Sequence, residues 1–204
     1  RLININSNIF IRTVLLTFSF LFFTYMGNEI SEDVVAANTI LINLIFLSAF
    51  ILDAYAFSTE GVVGYSLGSK NSKLLKDVIK NSFILSASTG LLISFIYFFI
   101  KDYYIYWMTD INDIKIISLK FSYWVVIIPF ISSFCYQFDG IFIGASQTKE
   151  LRNAMIISVL IFVISSYFLI QFLNNLGLWI AFSLFLIMRA FTLFAYLGRV
   201  YKII

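Results

Sequence analysis

Runs of about twenty apolar residues, separated by short polar connections, limit most strongly what this chain can fold into. They lie at roughly 9–27, 34–57, 82–100, 117–138, 153–173 and 178–198. A helix that crosses a bilayer needs about 20 mostly apolar residues, and it satisfies its own backbone hydrogen bonds in lipid. The runs therefore predict an all-α membrane protein in which residues 1–204 form one six-transmembrane-helix bundle. We expect the second helix to continue to Gly68, because only isolated glycines interrupt it.

Composition excludes several other classes of protein. Hydrophobic residues make up 61% and charged residues 12%, against about 45–50% and about 25% in an ordinary soluble domain. Histidine is absent and Cys135 is the only cysteine, which removes the usual ligand sets of zinc, haem and iron–sulfur clusters. We expect no metal and no cofactor. The basic residues lie at helix ends, so the net charge of +3 indicates a lipid bilayer as the partner and no nucleic acid.

Lysine and arginine concentrate at one end of the predicted bundle, whereas Glu29, Glu32 and Asp33 lie at the other. Short cytoplasmic loops collect basic residues, so the basic end is predicted to be cytoplasmic in the plasma (inner) membrane. Six spans place both ends of this fragment on that side. The basic end comprises Arg1, Lys70, Lys73, Lys76, Lys80, Lys149, Arg152, Arg199 and Lys202.

The chain starts with Arg1 and enters its first apolar run within about nine residues. That opening lacks the small-residue cleavage site that follows the short apolar region of a secretory signal. We therefore expect residues 9–27 to be a true span, and we expect further sequence to precede Arg1.

Polar residues inside the predicted spans are the candidates for an ion or substrate pathway. A central Asp or Arg costs roughly 2.5–3.5 kcal/mol to insert, so such residues persist mainly beside a cavity or a partner. Two of them, Asp53 and Glu60, are seven residues apart and lie within about 20° on one helix face. The alternative for the two asparagines of the set is a hydrogen bond to a neighbouring helix. The candidates are Asn38, Asn43, Asp53, Glu60, Asp139 and Arg189.

Each buried charge also has a purely structural interpretation. Arg189 lies about ten residues, or ~15 Å, from the basic end. Its structural interpretation is an internal salt bridge to Asp53, Glu60 or Asp139. Asp139 is alternatively a cap of the next helix or a partner of Lys149. Arg12 lies closer to the basic end, and we expect its side chain to extend to the interface.

Small residues and one proline indicate where helices pack and bend. Glycines spaced three or four residues apart allow close helix contact, and GxxxG is a common pattern in membrane helices. Pro129 frees a backbone carbonyl and marks a static kink or a hinge in a helix that also holds Ser132, Ser133 and Gln137. The predicted packing glycines are Gly61, Gly64, Gly68, Gly140 and Gly144.

Three stretches resemble the C-terminal six-helix lobe of the multidrug and toxic compound extrusion (MATE) transporters. Residues 35–43 (VAANTILIN) resemble the start of the family's helix eight, and residues 53–68 (DAYAFSTEGVVGYSLG) its glycine-rich continuation. Residues 139–153 (DGIFIGASQTKELRN) resemble the end of helix ten and the turn that follows. The pair Arg12-Thr13 and Arg189 are similar to the DNA-damage-inducible F type of the family.

The resemblance implies a twelve-helix antiporter that exchanges H⁺ or Na⁺ for small organic, often cationic, compounds by alternating access. Its N-terminal lobe would be missing from this chain. Some branches of the family form a cation site from a glutamate in the lobe's first helix and the helix-ten aspartate. Asp139 matches that aspartate, but residues 9–27 contain no carboxylate, so the sequence leaves the coupling ion open.

Two other functions are alternatives to this exporter. A related flippase for lipid-linked oligosaccharides has a similar helix arrangement but brings more cationic charge into its cavity. A membrane enzyme of lipid metabolism would need histidines or a dense acidic motif at the interface. Histidine is absent and the carboxylates are scattered, so the sequence favours a transporter that performs no bond chemistry.

Overall fold

The computed structural model describes residues 2–204, with side chains from Ile3 onward, so the predicted position of Arg1 lies outside the described residues. These residues form seven helices, and six of them are long and apolar enough to cross a membrane. The prediction of an all-α bundle with six spans is confirmed. The helices are α1 (Leu2–Ile30), α2 (Glu32–Gly68), α3 (Ser72–Met108), α4 (Asn112–Phe121), α5 (Tyr123–Gly144), α6 (Thr148–Leu173) and α7 (Asn175–Tyr201).

The helices are longer than the apolar runs that mark them. α3 has 37 residues, or roughly 55 Å at 1.5 Å per residue, whereas the hydrocarbon core of a bilayer is about 30 Å thick. Hydropathy identifies only the segment that lies in hydrocarbon. The predicted run at 82–100 therefore leaves out the more polar ends of α3. α2 continues to Gly68, as predicted.

The fourth apolar run, predicted at 117–138, does not form one continuous helix. It crosses a joint at Ser122, where the short helix α4 ends and the membrane helix α5 begins at Tyr123. α4 buries Ile114, Ser118 and Phe121 but also carries Asp113, Lys115 and Lys120, so it has one apolar face and one charged face. One apolar and one charged face are typical of helices at a membrane interface. The apolar residues at the end of α4 continue directly into α5, so hydropathy alone merged the two helices.

α5 lies inside the bundle and packs against α2, α3 and α7, while α6 pairs with α7 and α1. The core between these helices is largely aromatic. The ring of Phe23 lies 5.0 Å from that of Trp179 and 5.2 Å from that of Phe182, both edge to face. These geometries are favourable for aromatic pairs and bring α1 against α7.

Glycines bring α2 and α5 into close contact. A Cβ atom added at Gly140 would lie 2.3 Å from the Ala56 carbonyl oxygen, and one at Gly144 would lie 2.4 Å from that of Glu60. A Cβ atom added at Gly64 would lie 3.5 Å from the Gly144 carbonyl oxygen, an ordinary van der Waals distance. Gly61 and Gly68 have nothing of this chain within 4 Å of an added Cβ, so they take no part in the contact between α2 and α5. They lie on an exposed face of α2.

Pro129 lies within α5, whose helix continues on both sides of it. Two hydroxyls that follow it bond to the local backbone: Ser132 donates to the Pro129 carbonyl at 3.2 Å and Ser133 to the Phe130 carbonyl at 2.7 Å. The Pro129 carbonyl also lies 3.0 Å from where a Cβ at Gly90 would be. α3 therefore packs closely on α5 at the proline.

Candidate functional site

Three charged side chains meet inside the bundle. Arg12 of α1 and Arg189 of α7 both donate hydrogen bonds to the same oxygen, Oδ2, of Asp139 in α5. The cluster therefore joins the first, fourth and sixth of the membrane-spanning helices. We call these three residues the ion cluster.

The ion cluster is buried and carries an excess of positive charge. Asp139 is 4% exposed and Arg189 2% exposed, and two guanidinium groups share one carboxylate. Oδ1 of Asp139 and the Nε atoms of both arginines have no hydrogen-bond partner within the part of the chain that the structure describes. Arg189 also lies 6.0 Å from the centre of the Tyr136 ring, a favourable place for a cation.

A second carboxylate lies next to the ion cluster. Asp53 of α2 is half-buried and close enough to Arg12 and Arg189 for both charges to act on it. Among the described residues, Asp53 takes part in none of the salt bridges. With Asp53 ionised, the charges of Arg12, Arg189, Asp139 and Asp53 sum to zero, and with Asp53 neutral they sum to +1.

Glu60, which the sequence places on the same face as Asp53, lies farther toward the basic end of α2. Its side chain is half-buried, and its backbone carbonyl is the group that contacts Gly144. The structure therefore brings Asp53 to the ion cluster and places Glu60 at the contact between α2 and α5.

A groove between α1 and α2 lies closer than the ion cluster to the end of the bundle that holds Glu29. We call it the polar groove because five of its twelve lining residues carry a hydroxyl or an amide group. It encloses about 460 Å³ and has hydroxyl and amide groups among apolar side chains. Asn43 is exposed in this groove. The polar lining residues are Thr17, Thr24, Asn38, Thr39 and Asn43.

Asn38 borders the groove, but its amide is used in the core. It donates to Asn175 Oδ1 at 2.8 Å, and its own Oδ1 accepts from Asn175 at 3.0 Å and from Trp179 at 3.0 Å. Asn38 is 2% exposed. This pairing matches the interpretation in which the asparagine bonds to a neighbouring helix, and it leaves Asn43 as the asparagine that faces the groove.

The structure corrects two expectations about charge pairing. Arg12 does not extend to the interface, because its guanidinium is held by Asp139. Asp139 in turn pairs with two arginines and not with Lys149, whose side chain is exposed at the basic end. The salt bridge predicted between Arg189 and one of three acidic residues is present, with Asp139 as its partner.

A polar contact between α2 and α5 was not predicted from the sequence. The hydroxyl of Thr59 donates to Gln137 Oε1 at 2.9 Å and ties α2 to α5, two turns from the Gly144 contact. Gln137 is fully buried, and its Nε2 has no partner within the described residues. A glutamine in an apolar run was the available signal, but its partner is 78 residues away in the chain.

The chain is similar to known proteins in both sequence and fold. The MatE family model matches residues 9–168. DNA damage-inducible protein F of Escherichia coli (strain K12) is 31% identical over 195 residues, which are 96% of this chain and 42% of that protein. The chain thus spans less than half the length of this curated relative.

Solved structures give the same assignment of fold. An outward-facing multidrug resistance MATE family transporter of the MOP superfamily matches with a TM-score of 0.85, at 16% identity, over 96% of this chain and 44% of that chain. A MOP superfamily transporter from Pyrococcus furiosus, described as having a binding pocket of reversed polarity, matches with the same TM-score, identity and coverage. At this identity the likeness shows the fold alone. The MatE family model and the relative of 31% identity favour the MATE family over the related flippase.

The family model covers most of the chain, the relative of 31% identity covers nearly all of it, and each matched relative is more than twice as long. Six apolar helices agree with that assignment and make the chain a multi-pass membrane protein. This chain belongs to the MatE family of membrane transporters and forms one lobe of such a transporter.

Proposed function

We propose that this chain is the C-terminal lobe of an antiporter in the plasma membrane that exports small organic, often cationic, compounds in exchange for H⁺ or Na⁺. The observation that carries the proposal is the buried ion cluster with the unpaired Asp53 beside it. Charged groups inside a membrane protein are costly and mark ion and substrate paths. The family of the chain and the multidrug resistance transporter that it resembles in fold support the same function.

The exchange depends on which groups neutralise the two arginines. While Asp139 and Asp53 are both ionised, the four charges balance, and Asp53 is the carboxylate of the two that has no salt-bridge partner among the described residues. When Arg12 leaves Asp139 for Asp53, one arginine remains on Asp139 and the other is neutralised on α2. A proton or Na⁺ bound at either carboxylate shifts this balance, because each neutralises a negative charge that an arginine otherwise pairs with. Burial favours the protonated carboxyl group, whereas a nearby cation favours the ionised carboxylate.

The positions of the arginines link this balance to movement. Arg12 lies on α1 and Asp53 on α2, the helices that form the polar groove, whereas Asp139 and Arg189 lie on α5 and α7. A change of partner by Arg12 therefore alters how α1 sits against the rest of the bundle. Because α1 also lines the groove, such a change would couple the ion cluster to the rocking of two lobes around a site between them.

A second lobe completes the transport path in this proposal. The groove between α1 and α2 is open along one side and is lined by residues of these two helices alone. An N-terminal lobe of the same transporter would close that side, with both ends of the present chain in the cytoplasm. Residues 2–204 supply one wall of the cavity.

The proposal is tested by two variants of the full-length transporter that contains this lobe. Asp139→Asn removes the carboxylate that both buried arginines share, and breaking a buried ion pair destabilises a protein by about 3–5 kcal/mol. Asp139→Asn combined with Arg189→Gln removes one charge of each sign and keeps the net charge of the ion cluster. We expect the double variant to regain most of the thermal stability that the single variant loses.

Transport separates a structural role from an exchange role. If Asp139 takes part in exchange, the double variant is stable but its ion-driven substrate exchange in proteoliposomes falls at least roughly tenfold, equivalent to ~1.4 kcal/mol of coupling. If Asp139 only neutralises the arginines, stability and exchange recover together. Recovery of both, with unchanged dependence on pH and Na⁺, would remove Asp139 from the proposed mechanism.

A further inference from the structure

A second groove lies between α3, α5 and α7 and encloses about 580 Å³. It shares no lining residue with the polar groove between α1 and α2. Six phenylalanines form most of its walls: Phe83, Phe130, Phe134, Phe138, Phe191 and Phe194. The remaining lining residues are isoleucine, alanine and leucine, so no side chain that lines this groove is polar.

The walls of this aromatic groove point outward from the bundle. Phe191 and Phe194 of α7 are each 63% exposed and Ile187 is 45% exposed. In a bilayer, such a surface meets hydrocarbon, because an aqueous path would leave apolar walls in water. A hydrocarbon chain is therefore the occupant that fits the chemistry of the groove.

One end of the aromatic groove opens at the basic end of the bundle. On α3 the lining residue nearest that end is Ile79, and Lys76 lies about one turn beyond it. At 100° per residue, Lys76 lies within about 20° of Phe83 on the helix and Lys80 within about 60°, so both follow the wall of the groove. Both lysines are exposed and take part in no salt bridge among the described residues.

The facing wall on α7 ends in a similar way. Leu197 is the lining residue nearest the basic end, and Tyr201 lies about one turn beyond it and within about 20° of Phe194. Lys202 follows Tyr201, and both are exposed. The mouth of the groove is thus bordered by cationic groups and a phenol from two helices.

Acidic groups and the neighbouring arginine at this end point away from the mouth. Asp77 lies about 120° from Phe83 around α3. Arg199 lies about 140° from Phe194 around α7, and it pairs with Glu150 at 2.8 Å. The positive charge at the mouth is therefore not cancelled by a carboxylate that faces it.

We propose that the aromatic groove binds an acyl chain of an anionic phospholipid, whose phosphate lies at the mouth between Lys76 and Lys80 of α3 and Tyr201 and Lys202 of α7. The acyl chain fills the apolar walls, and the headgroup supplies the negative charge that the mouth lacks. The lipid comes from the leaflet at the basic end. This site is independent of what the lobe transports, because it shares no residue with the polar groove or the ion cluster.

Occupancy is measured with tryptophan fluorescence and brominated lipids. Phe134→Trp places a reporter in the groove of the full-length transporter, and Phe168→Trp, on an exposed part of α6, is the matched control. Each variant is reconstituted in equal amounts of phosphatidylglycerol and phosphatidylcholine, with one of the two lipids brominated on its acyl chains. The unmodified protein gives the signal of the native tryptophans, which is subtracted.

We expect Phe134→Trp to be quenched more strongly by brominated phosphatidylglycerol than by brominated phosphatidylcholine, and Phe168→Trp to be quenched equally by both. Lys76→Gln with Lys80→Gln should lower the preference at Phe134→Trp by roughly fivefold for each lysine, equivalent to ~1 kcal/mol each. Lys149→Gln removes a lysine from the same end but away from the mouth, and should leave the preference unchanged.

Two results would overturn the proposal. Equal quenching by the two lipids at Phe134→Trp means that the groove takes lipid without regard to its charge. The absence of quenching by either lipid means that protein covers the groove. Phe194→Trp, on the opposite wall, gives the same reading if Phe134→Trp does not fold.

Discussion

At the scale of single residues, the amide pair of Asn38 and Asn175 stabilises the junction of α2 and α7. Asn38→Leu removes three hydrogen bonds and leaves the Asn175 and Trp179 donors buried without an acceptor. Each stranded group costs about 1–3 kcal/mol, so we expect a clear fall in the thermal stability of the purified transporter. Asn43→Leu is the matched control, because Asn43 is exposed in the polar groove. Equal losses in the two variants would mean that the amide pair contributes little.

Also at this scale, the ion cluster shows what a sequence can and cannot say about charge pairing. The depth of Arg189 in its span predicted an internal salt bridge and limited its partner to three acidic residues. Arg12 was assigned to the interface because the apolar run starts only at residue 9, yet α1 already begins at Leu2. That places Arg12 about ten residues, or ~15 Å, inside the helix, as deep as Arg189. Its pairing with Asp139 is a long-range contact that no local pattern encodes.

At the scale of helices, the contact between α2 and α5 depends on glycine. Gly140→Ala would push a Cβ against the Ala56 carbonyl oxygen, where 2.3 Å is available, and neither backbone can yield without separating the helices. We expect a loss of about 1–3 kcal/mol in thermal or denaturant unfolding. Gly61→Ala, which meets open space in this lobe, is the control and should be nearly neutral. A large loss at Gly61 would indicate that its face of α2 packs on protein outside this chain.

The same scale shows why the number of spans was predictable and their ends were not. Apolar runs of about twenty residues follow from the thickness of the bilayer, and six of them were found. The joint at Ser122 depends on α4 burying one face against α2, a tertiary contact. Glycine spacing likewise predicted helix contact along residues 61–68 of α2. Which of these glycines contact α5 depends on the residues that face them from α5, and those cannot be read from the spacing.

At the scale of the whole molecule, the asymmetry of basic residues predicts how the lobe lies in the membrane. Single cysteines at Ser72 and Ser146 are exposed at the basic end, and one at Asp110 is exposed at the other end. We expect an impermeant maleimide applied to intact cells to label Asp110→Cys and to label the other two only after the membrane is opened. Cys135 is buried and gives little background. Labelling of Ser72→Cys from outside would reverse the proposed orientation.

The ion cluster also sets an order of events while the protein is being made. Arg12 and Asp139 are 127 residues apart in the chain, and Asp139 and Arg189 are 50 apart. At about 5–20 residues per second, α1 therefore waits roughly 6–25 s after its arginine is synthesised before the carboxylate that neutralises it is available. Arg189 is synthesised about 3–10 s after Asp139 and completes the ion cluster. The first membrane helix of this lobe thus cannot reach its final electrostatic environment until the fourth one has been translated.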